Sequence, residues 1–198
     1  MSKIVFIDRD GVINVDLGGY VTRPEDFRFE AGSVEALKHL ADRGWDIIVI
    51  SNQAGVGDGV FTQQALEEVH AKMIADLERE GIGILGSYYC LHGKNAGCVC
   101  RKPAPGLFQR AAREHTFEPA QTFFIGDKAS DIEAGKRFGL KTILVRTGYG
   151  RVDEKKMTGT LAPNYTADSL LDAVNNILFT LPPILPPLAG EDQGGGVK

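Results

Sequence analysis

Short apolar runs that stop abruptly in charged or polar residues recur along this chain, with helix-patterned stretches between them. Ile4, Val5, Phe6 and Ile7 run into Asp8-Arg9-Asp10-Gly11, Ile47, Ile48, Val49 and Ile50 into Ser51-Asn52-Gln53, and Thr122, Phe123, Phe124 and Ile125 into Gly126-Asp127-Lys128. An apolar run of this length bounded by turn chemistry reads as a strand buried on both faces, and strands alternating with helices build parallel βαβ units. Strands are predicted at 4–8, 46–51, 87–90, 122–126 and 141–146, with a short edge strand near Tyr165. Val34, Leu37, Leu40 and Ala41 mark a helix after Ser33 as N-cap and before Gly44 as stop. A second helix opens at Thr62, carries Leu66, Val69, Met73 and Leu77, and closes near Gly81. Leu170, Leu171, Val174, Ile177 and Leu178 form the last amphipathic stripe. The expected fold class is α/β, a doubly wound (Rossmann-like) parallel sheet.

With 198 residues, 43% of them hydrophobic and 24% charged, the chain is long enough for one well-buried domain and short for two. That domain is expected over 1–180. The segment 181–198, with four prolines, four glycines and no periodicity, is expected to be a flexible tail. A net charge of -4 argues against nucleic acid as a partner. No apolar stretch approaches the roughly 18 residues that cross a bilayer, so no membrane contact is expected. Met1-Ser2-Lys3 leads into only four apolar residues, which is no secretory signal, and a cytoplasmic monomer is expected.

In open parallel sheets ligands bind beyond the carboxyl ends of the strands, so Asp8, Ser51 and Asp127 should converge in one crevice. Asp8 and Asp10 can both turn toward one cation while Gly11 lets the backbone fold away, although this fragment alone is also a plausible polar turn. Ser51-Asn52-Gln53 offers a hydroxyl and two amides to phosphate oxygens. Arg101-Lys102-Pro103 sets two cations ahead of a predicted helix marked by Pro105. Asp131, four residues beyond Asp127, would share one face of a helix with it.

All three cysteines lie in 90–100, in Cys90-Leu91-His92 and Cys98-Val99-Cys100. Three thiols and an imidazole match a closed tetrahedral zinc site. A disulfide would leave one cysteine over, and no motif calls for a catalytic thiol. Four protein ligands leave no open coordination position, so the ion would have a structural role, bracing the segment that carries Arg101 and Lys102.

Taken in order, Asp8-x-Asp10-Gly11, Ser51, Lys102 and Gly126-Asp127-x-x-x-Asp131 resemble the four motifs of the haloacid dehalogenase superfamily, in its aspartate-nucleophile phosphatase branch. The resemblance spans roughly 1–180 and implies a capless phosphatase with a zinc loop. It implies that Asp8 attacks phosphorus to give an aspartyl phosphate and that Asp10 acts first as acid and then as base. It also implies that magnesium is held by the Asp8 and Asp127 carboxylates and the Asp10 carbonyl. Ser51 would donate to a phosphoryl oxygen, Lys102 would stabilise the nucleophile and transition state, and Asp16, Gly19, Tyr20, Asn52, Gln53, Arg101 and Lys128 would recognise substrate. Lys128 has a less favoured alternative as a surface ion-pair residue, and Asp131 is either a support for the metal or a helix N-terminal charge. The acid role leads to the expectation that Asp8 and phosphate raise the pKa of Asp10.

The run Cys-x-His…Cys-x-Cys-Arg-Lys-Pro narrows the resemblance to two phosphatase families. One takes the 7-phosphate from a heptose 1,7-bisphosphate on the route to bacterial surface glycans; the other acts on histidinol phosphate. Asn14 to Val21, Gly126-Asp127-Lys128 and Arg146-Thr147-Gly148 favour the sugar phosphate as substrate, although an extra glycine at Gly18 or Gly19 departs from that pattern. A zinc-stabilised binding module without chemistry is a third alternative, weakened by the intact Asp8, Asp10, Lys102 and Asp127.

Overall fold

The structure, a computed structural model, describes residues 3–181. The expected tail therefore lies, apart from Leu181, outside the described residues. Six parallel strands form one sheet in the order β3-β2-β1-β4-β5-β6, with β1 at Lys3–Ile7, β2 at Trp45–Asn52, β3 at Ile84–Cys90, β4 at Phe123–Gly126, β5 at Lys141–Val145 and β6 at Tyr165–Ala167. From β1 the chain winds outward through β2 and β3, then returns to β1's other edge and winds the opposite way. The switch point lies between β1 and β4, where Val5 pairs with Phe123 and Ile7 with Ile125. Two loops leave the sheet there in opposite directions, which opens a crevice at the strand ends.

Period-2 alternation fills both faces of the sheet. Val5, Ile7, Ile47, Val49, Phe123, Ile125, Ile143 and Val145 pack toward α1 (Ser33–Asp42) and α3 (Gln63–Arg79), with the last helical run on the same side. Ile4, Phe6, Ile48, Ile50 and Phe124 face α4 (Gly106–Glu114) and α5 (Ala129–Phe138). Phe108 of α4 meets Phe6, Phe124 and Phe138 at centroid distances of 5.2, 5.0 and 5.6 Å. Each such buried side chain contributes roughly 1.5–3 kcal/mol of transfer free energy.

The short α2 (Ala54–Gly57) follows β2, and α6 (Gly150–Asp153) follows β5. Leu170–Asp172 forms α7, which continues over Ala173–Leu178 with wider π-type hydrogen bonding; Phe179 N–H donates to the Val174 carbonyl at 3.2 Å. Among the described residues no helix is long and apolar enough to cross a membrane.

Thr62 caps α3 as expected, its side chain accepting from Ala65 N–H at 3.1 Å. Two expectations are corrected. Ser33 is not the N-cap of α1: Gly32 takes that place in the left-handed region, and the buried Ser33 hydroxyl donates to the Ile13 carbonyl at 2.8 Å. Asp127 does not share a helix with Asp131, because Lys128 is extended and α5 starts only at Ala129.

Candidate active site

Asp8 leaves the end of β1 with its backbone N–H donating to the Ile125 carbonyl at 2.9 Å, so the turn is tied to β4. Gly11, at φ 87°, permits the return: a Cβ there would lie 2.3 Å from an Asp127 carboxylate oxygen. Lys102 arrives from the loop before α4, buried to 3% exposure, with Nζ 2.9 Å from Asp8 Oδ1 and 2.7 Å from Asp131 Oδ1. It also donates to the Ile50 carbonyl at 3.0 Å. Asp131, left open between two roles by the sequence, is fully buried and is a partner of the site lysine. Its other oxygen accepts from Lys128 N–H at 3.0 Å and so caps α5.

One carboxylate oxygen each from Asp8, Asp127 and Asp131 fall within 4.8 Å of one another. Asp127 Oδ2 accepts from Tyr149 N–H at 2.8 Å, while Oδ1 is buried without a partner. Four carboxylates (Asp8, Asp10, Asp127, Asp131) share this centre with two enclosed cations, Arg9 and Lys102. The deficit equals the charge of one divalent ion, and hard carboxylate oxygens are the donors magnesium takes. Without such an ion protons substitute: burial pushes Asp8 up to about 6 despite Lys102, which pulls it down. Burial and the Asp131 charge raise Asp127 well above its ordinary value.

Asp10 behaves otherwise than expected. Burial pushes its carboxyl up, but the Arg9 guanidinium and hydrogen bonds from Asn14 and Gln53 outweigh this and hold it below the ordinary carboxylate range. The sequence expectation was the reverse, because it treated Arg9 as an unassigned spacer. Gln53 and Asn52, expected to recognise substrate, are instead bonded to other residues of the site. Gln53 is fully buried, and its Nε2 donates to Asp10 Oδ2 at 2.7 Å and to Ser51 Oγ at 3.0 Å. Asn52 clasps the Lys102 backbone at both ends, donating to its carbonyl and accepting from its N–H, each at 3.0 Å. Ser51 stands between, 1% exposed.

At the mouth, Lys128 Nζ pairs with Asp16 Oδ2 at 2.9 Å and lies 4.8 Å from the Tyr149 ring centroid. Tyr20 packs on Phe61 with centroids 5.3 Å apart, and nothing lies within 4 Å of where a Gly19 Cβ would be. Arg101, half-buried, has Nη1 enclosed without a partner. The loop after β5 was used only for the resemblance, yet it closes the centre: Thr147 Oγ1 donates to the Gly11 carbonyl at 2.6 Å, and Tyr149 supplies the N–H that holds Asp127. Its signal in the sequence was a glycine-rich turn directly after a predicted strand.

The second cluster gathers the ligand atoms of Cys90, His92, Cys98 and Cys100 within 4.8 Å. Sulfur–sulfur separations are 3.3, 3.6 and 3.6 Å, and His92 Nδ1 lies 3.1 Å from Cys100 Sγ and 3.7 Å from Cys90 Sγ. A tetrahedral zinc bonded to sulfur at about 2.3 Å spaces its ligands roughly 3.5–3.8 Å apart, so the set fits that ion. Burial pushes the Cys90 thiol up to about 12. Burial works in the same direction on Cys98, but hydrogen bonds from the Arg101 and Cys100 backbone and the neighbouring thiols bring it down to about 7.

A family model described as HAD-hydrolase-like matches residues 99–173. D-glycero-beta-D-manno-heptose-1,7-bisphosphate 7-phosphatase of Haemophilus ducreyi is 37% identical over 175 residues, covering 84% of this chain and 96% of that protein. The enzyme of the same name from Helicobacter pylori is 41% identical over 145 residues, 73% of this chain and 83% of its own. Among solved structures, D,D-heptose 1,7-bisphosphate phosphatase of B. bronchiseptica, complexed with magnesium and phosphate, superposes with a TM-score of 0.84 at 31% identity. It covers 89% of this chain and 98% of its own. The chain belongs to the heptose-1,7-bisphosphate 7-phosphatase family of haloacid dehalogenase-like phosphatases.

Proposed function

We propose that this chain, as one capless domain over 1–180, removes the 7-phosphate of D-glycero-D-manno-heptose 1,7-bisphosphate with Asp8 as nucleophile. The observation that carries this is Asp8 at the sheet's switch point, 2.9 Å from buried Lys102 and grouped with Asp127 and Asp131. Unaided monoester hydrolysis is slow enough that about 20 kcal/mol of barrier lowering is required, and a covalent intermediate divides it into two steps. Asp8 Oδ attacks phosphorus while Asp10, which takes up a proton from solvent as it turns away from Arg9 toward the anionic phosphate, gives that proton to the departing sugar oxygen. Asp10, again an anion, then takes a proton from the water that attacks the aspartyl phosphate and frees phosphate. Ser51 Oγ donates to a phosphoryl oxygen, and Lys102 holds the Asp8 carboxylate in line and offsets charge in the transition state. Magnesium, held by the Asp8 and Asp127 carboxylates and the Asp10 carbonyl, supplies neutralisation of phosphoryl charge when bound.

Arg101, with its enclosed unpaired nitrogen, and Lys128 with Asp16 at the mouth recognise the rest of the substrate. Gly19 leaves open room beside Tyr20, and Asn52 and Gln53 act from behind the pocket. Zinc on Cys90, His92, Cys98 and Cys100 holds the loop that ends in Arg101 and Lys102. Thiol ligands and a metabolic phosphate suit a cytoplasmic enzyme, where thiols stay reduced. All of these site residues come from one chain, consistent with an active monomer.

The test is turnover with magnesium on both anomers of heptose 1,7-bisphosphate and on histidinol phosphate. The expected kcat/KM for a heptose anomer exceeds that for histidinol phosphate by about 100-fold or more, and the opposite order would overturn the substrate assignment. Acid-quenched wild type is expected to carry an acyl phosphate that hydroxylamine removes. Asp8→Asn is expected to carry none and to lose turnover; retained turnover would place the nucleophile elsewhere.

A further inference from the structure

We propose that Arg9, the residue between the two site aspartates, is a positioning residue for Asp10: its buried guanidinium fork sets where the Asp10 carboxylate exchanges its proton. The inference rests on the acid and base role given to Asp10 above. Arg9 is fully buried, the largest side chain so enclosed in the described protein, and Lys102 rather than Arg9 pairs with Asp8. Its Nη2 donates to Asp10 Oδ1 at 2.9 Å and to Oδ2 at 3.0 Å, and its Nε to Oδ1 at 3.2 Å. Asn14 Nδ2 adds a bond to Oδ1 at 3.0 Å and Gln53 Nε2 one to Oδ2 at 2.7 Å, so both oxygens are held.

Arg9 is itself braced. Its carbonyl accepts from the N–H groups of Ile13 and Asn14 at 2.9 and 3.0 Å. Its Cζ lies 5.8 Å from the Tyr89 ring centroid, and the Tyr89 hydroxyl is 2.9 Å from His70 Nδ1 on α3. A buried guanidinium is costly unless it is well bonded; here Nη2 bridges both Asp10 oxygens and Nε adds a second bond to Oδ1, two donors fixed in one plane that an ammonium does not supply, while Nη1 is enclosed without a partner. Proton delivery to the leaving oxygen requires Asp10 to turn out of this grip, and the return of the same carboxylate as base requires the grip to re-form. Lysine, a single point donor, keeps the charge and loses the fork.

Arg9→Met removes the counter-charge of an enclosed carboxylate and endangers folding, so the decisive variant is Arg9→Lys, with Asp10→Asn and the double variant beside it. On heptose bisphosphate with magnesium, Arg9→Lys is expected to lower kcat by about 10- to 100-fold with KM within about twofold. On p-nitrophenyl phosphate, whose leaving group needs no proton, it is expected to release a burst of about one p-nitrophenolate per enzyme. Slow turnover should follow, because the water step still needs the base. In the Asp10→Asn background Arg9→Lys is expected to add less than about twofold, since two residues acting through one group are not additive. Wild-type kinetics in Arg9→Lys would overturn the proposal. An equal loss with and without Asp10, the mark of a purely structural role, would do so too. Either result leaves the acyl phosphate of the wild type in place, whereas its absence from the wild type sinks the Asp8 reading itself.

Discussion

Asn52 shows how one amide can serve a catalytic centre without reaching its ligand. Both ends of its side chain are spent on the backbone of Lys102, fifty residues away in sequence, at 3.0 Å each. The lysine's Nζ is thereby aimed at Asp8 and Asp131 from a fixed origin. Asn52→Ala is expected to cost about 1–2 kcal/mol of stability from the lost hydrogen bonds. It is expected to lower kcat about tenfold or more with little change in KM, because substrate contacts are retained while the partner of Asp8 drifts. Steady-state kinetics with a thermal melt check both; a rise in KM at constant kcat would return Asn52 to the substrate rim. At this scale Asp8, Ser51, Lys102 and Asp127 were legible in the sequence because each stands at a strand end or in an ordered motif. The roles of Asn52 and Asp131 were not, because they are pairings across the fold, and that of Arg9 was not, because adjacency alone does not say that its side chain folds back, buried, onto Asp10.

Among the elements, the loop between β3 and α4 depends most on its surroundings. It leaves β3 at Cys90 and is clasped from the side by the turn after β2. A Cβ on Gly57 would lie 2.3 Å from Gly93 N, and Asp58 Oδ1 accepts from Lys94 N–H at 3.1 Å. The same loop delivers Lys102, so its Cys/His cluster and the segment from Asn52 to Asp58 are two braces on the arm that carries Lys102. Metal analysis of protein purified without chelator is expected to find about one zinc per chain. Stripping it, or Cys100→Ser, is expected to lower the melting temperature and to reduce kcat by about tenfold or more. After stripping, added zinc but not magnesium should restore activity. Unchanged kcat in zinc-free protein would separate the cluster from the arm. Strand positions were readable to within a few residues because four-residue apolar runs between turns have few other uses. β3, by contrast, starts at Ile84, earlier than predicted, because its exposed and half-buried start carries no clean alternation.

For the whole molecule, the gathering of carboxylates at the switch point sets a pH dependence. Burial raises Asp8 from 3.8 to about 6 in the folded state. Between those values the folded chain binds more protons than the unfolded one. The Asp8 contribution to metal-free stability therefore falls as pH rises from about 4 to 6, by on the order of 3 kcal/mol. Magnesium supplies the missing positive charge, so its presence is expected to flatten that fall and to stabilise most at pH 6 and above. Urea melts at pH 4, 5, 6 and 7 with and without magnesium measure this. A metal-free pH dependence left unchanged by Asp8→Asn would show that Asp8 is not held in its protonated form.

The sequence alone determined the α/β class, the order of chemistry-bearing strand ends and the donor types that gather in the Cys/His and carboxylate clusters, because hydrophobic period and local spacing are properties of neighbouring residues. Only the tertiary structure decided which charges meet. Asp131 was brought to Lys102 and Gln53 to Asp10 by packing of the sheet and its loops, and the sign of the Asp10 shift followed from the enclosure of that carboxylate with its neighbour Arg9 and with Gln53. Electrostatic energy depends on distance and enclosure in space, and these are set once distant segments close on one another.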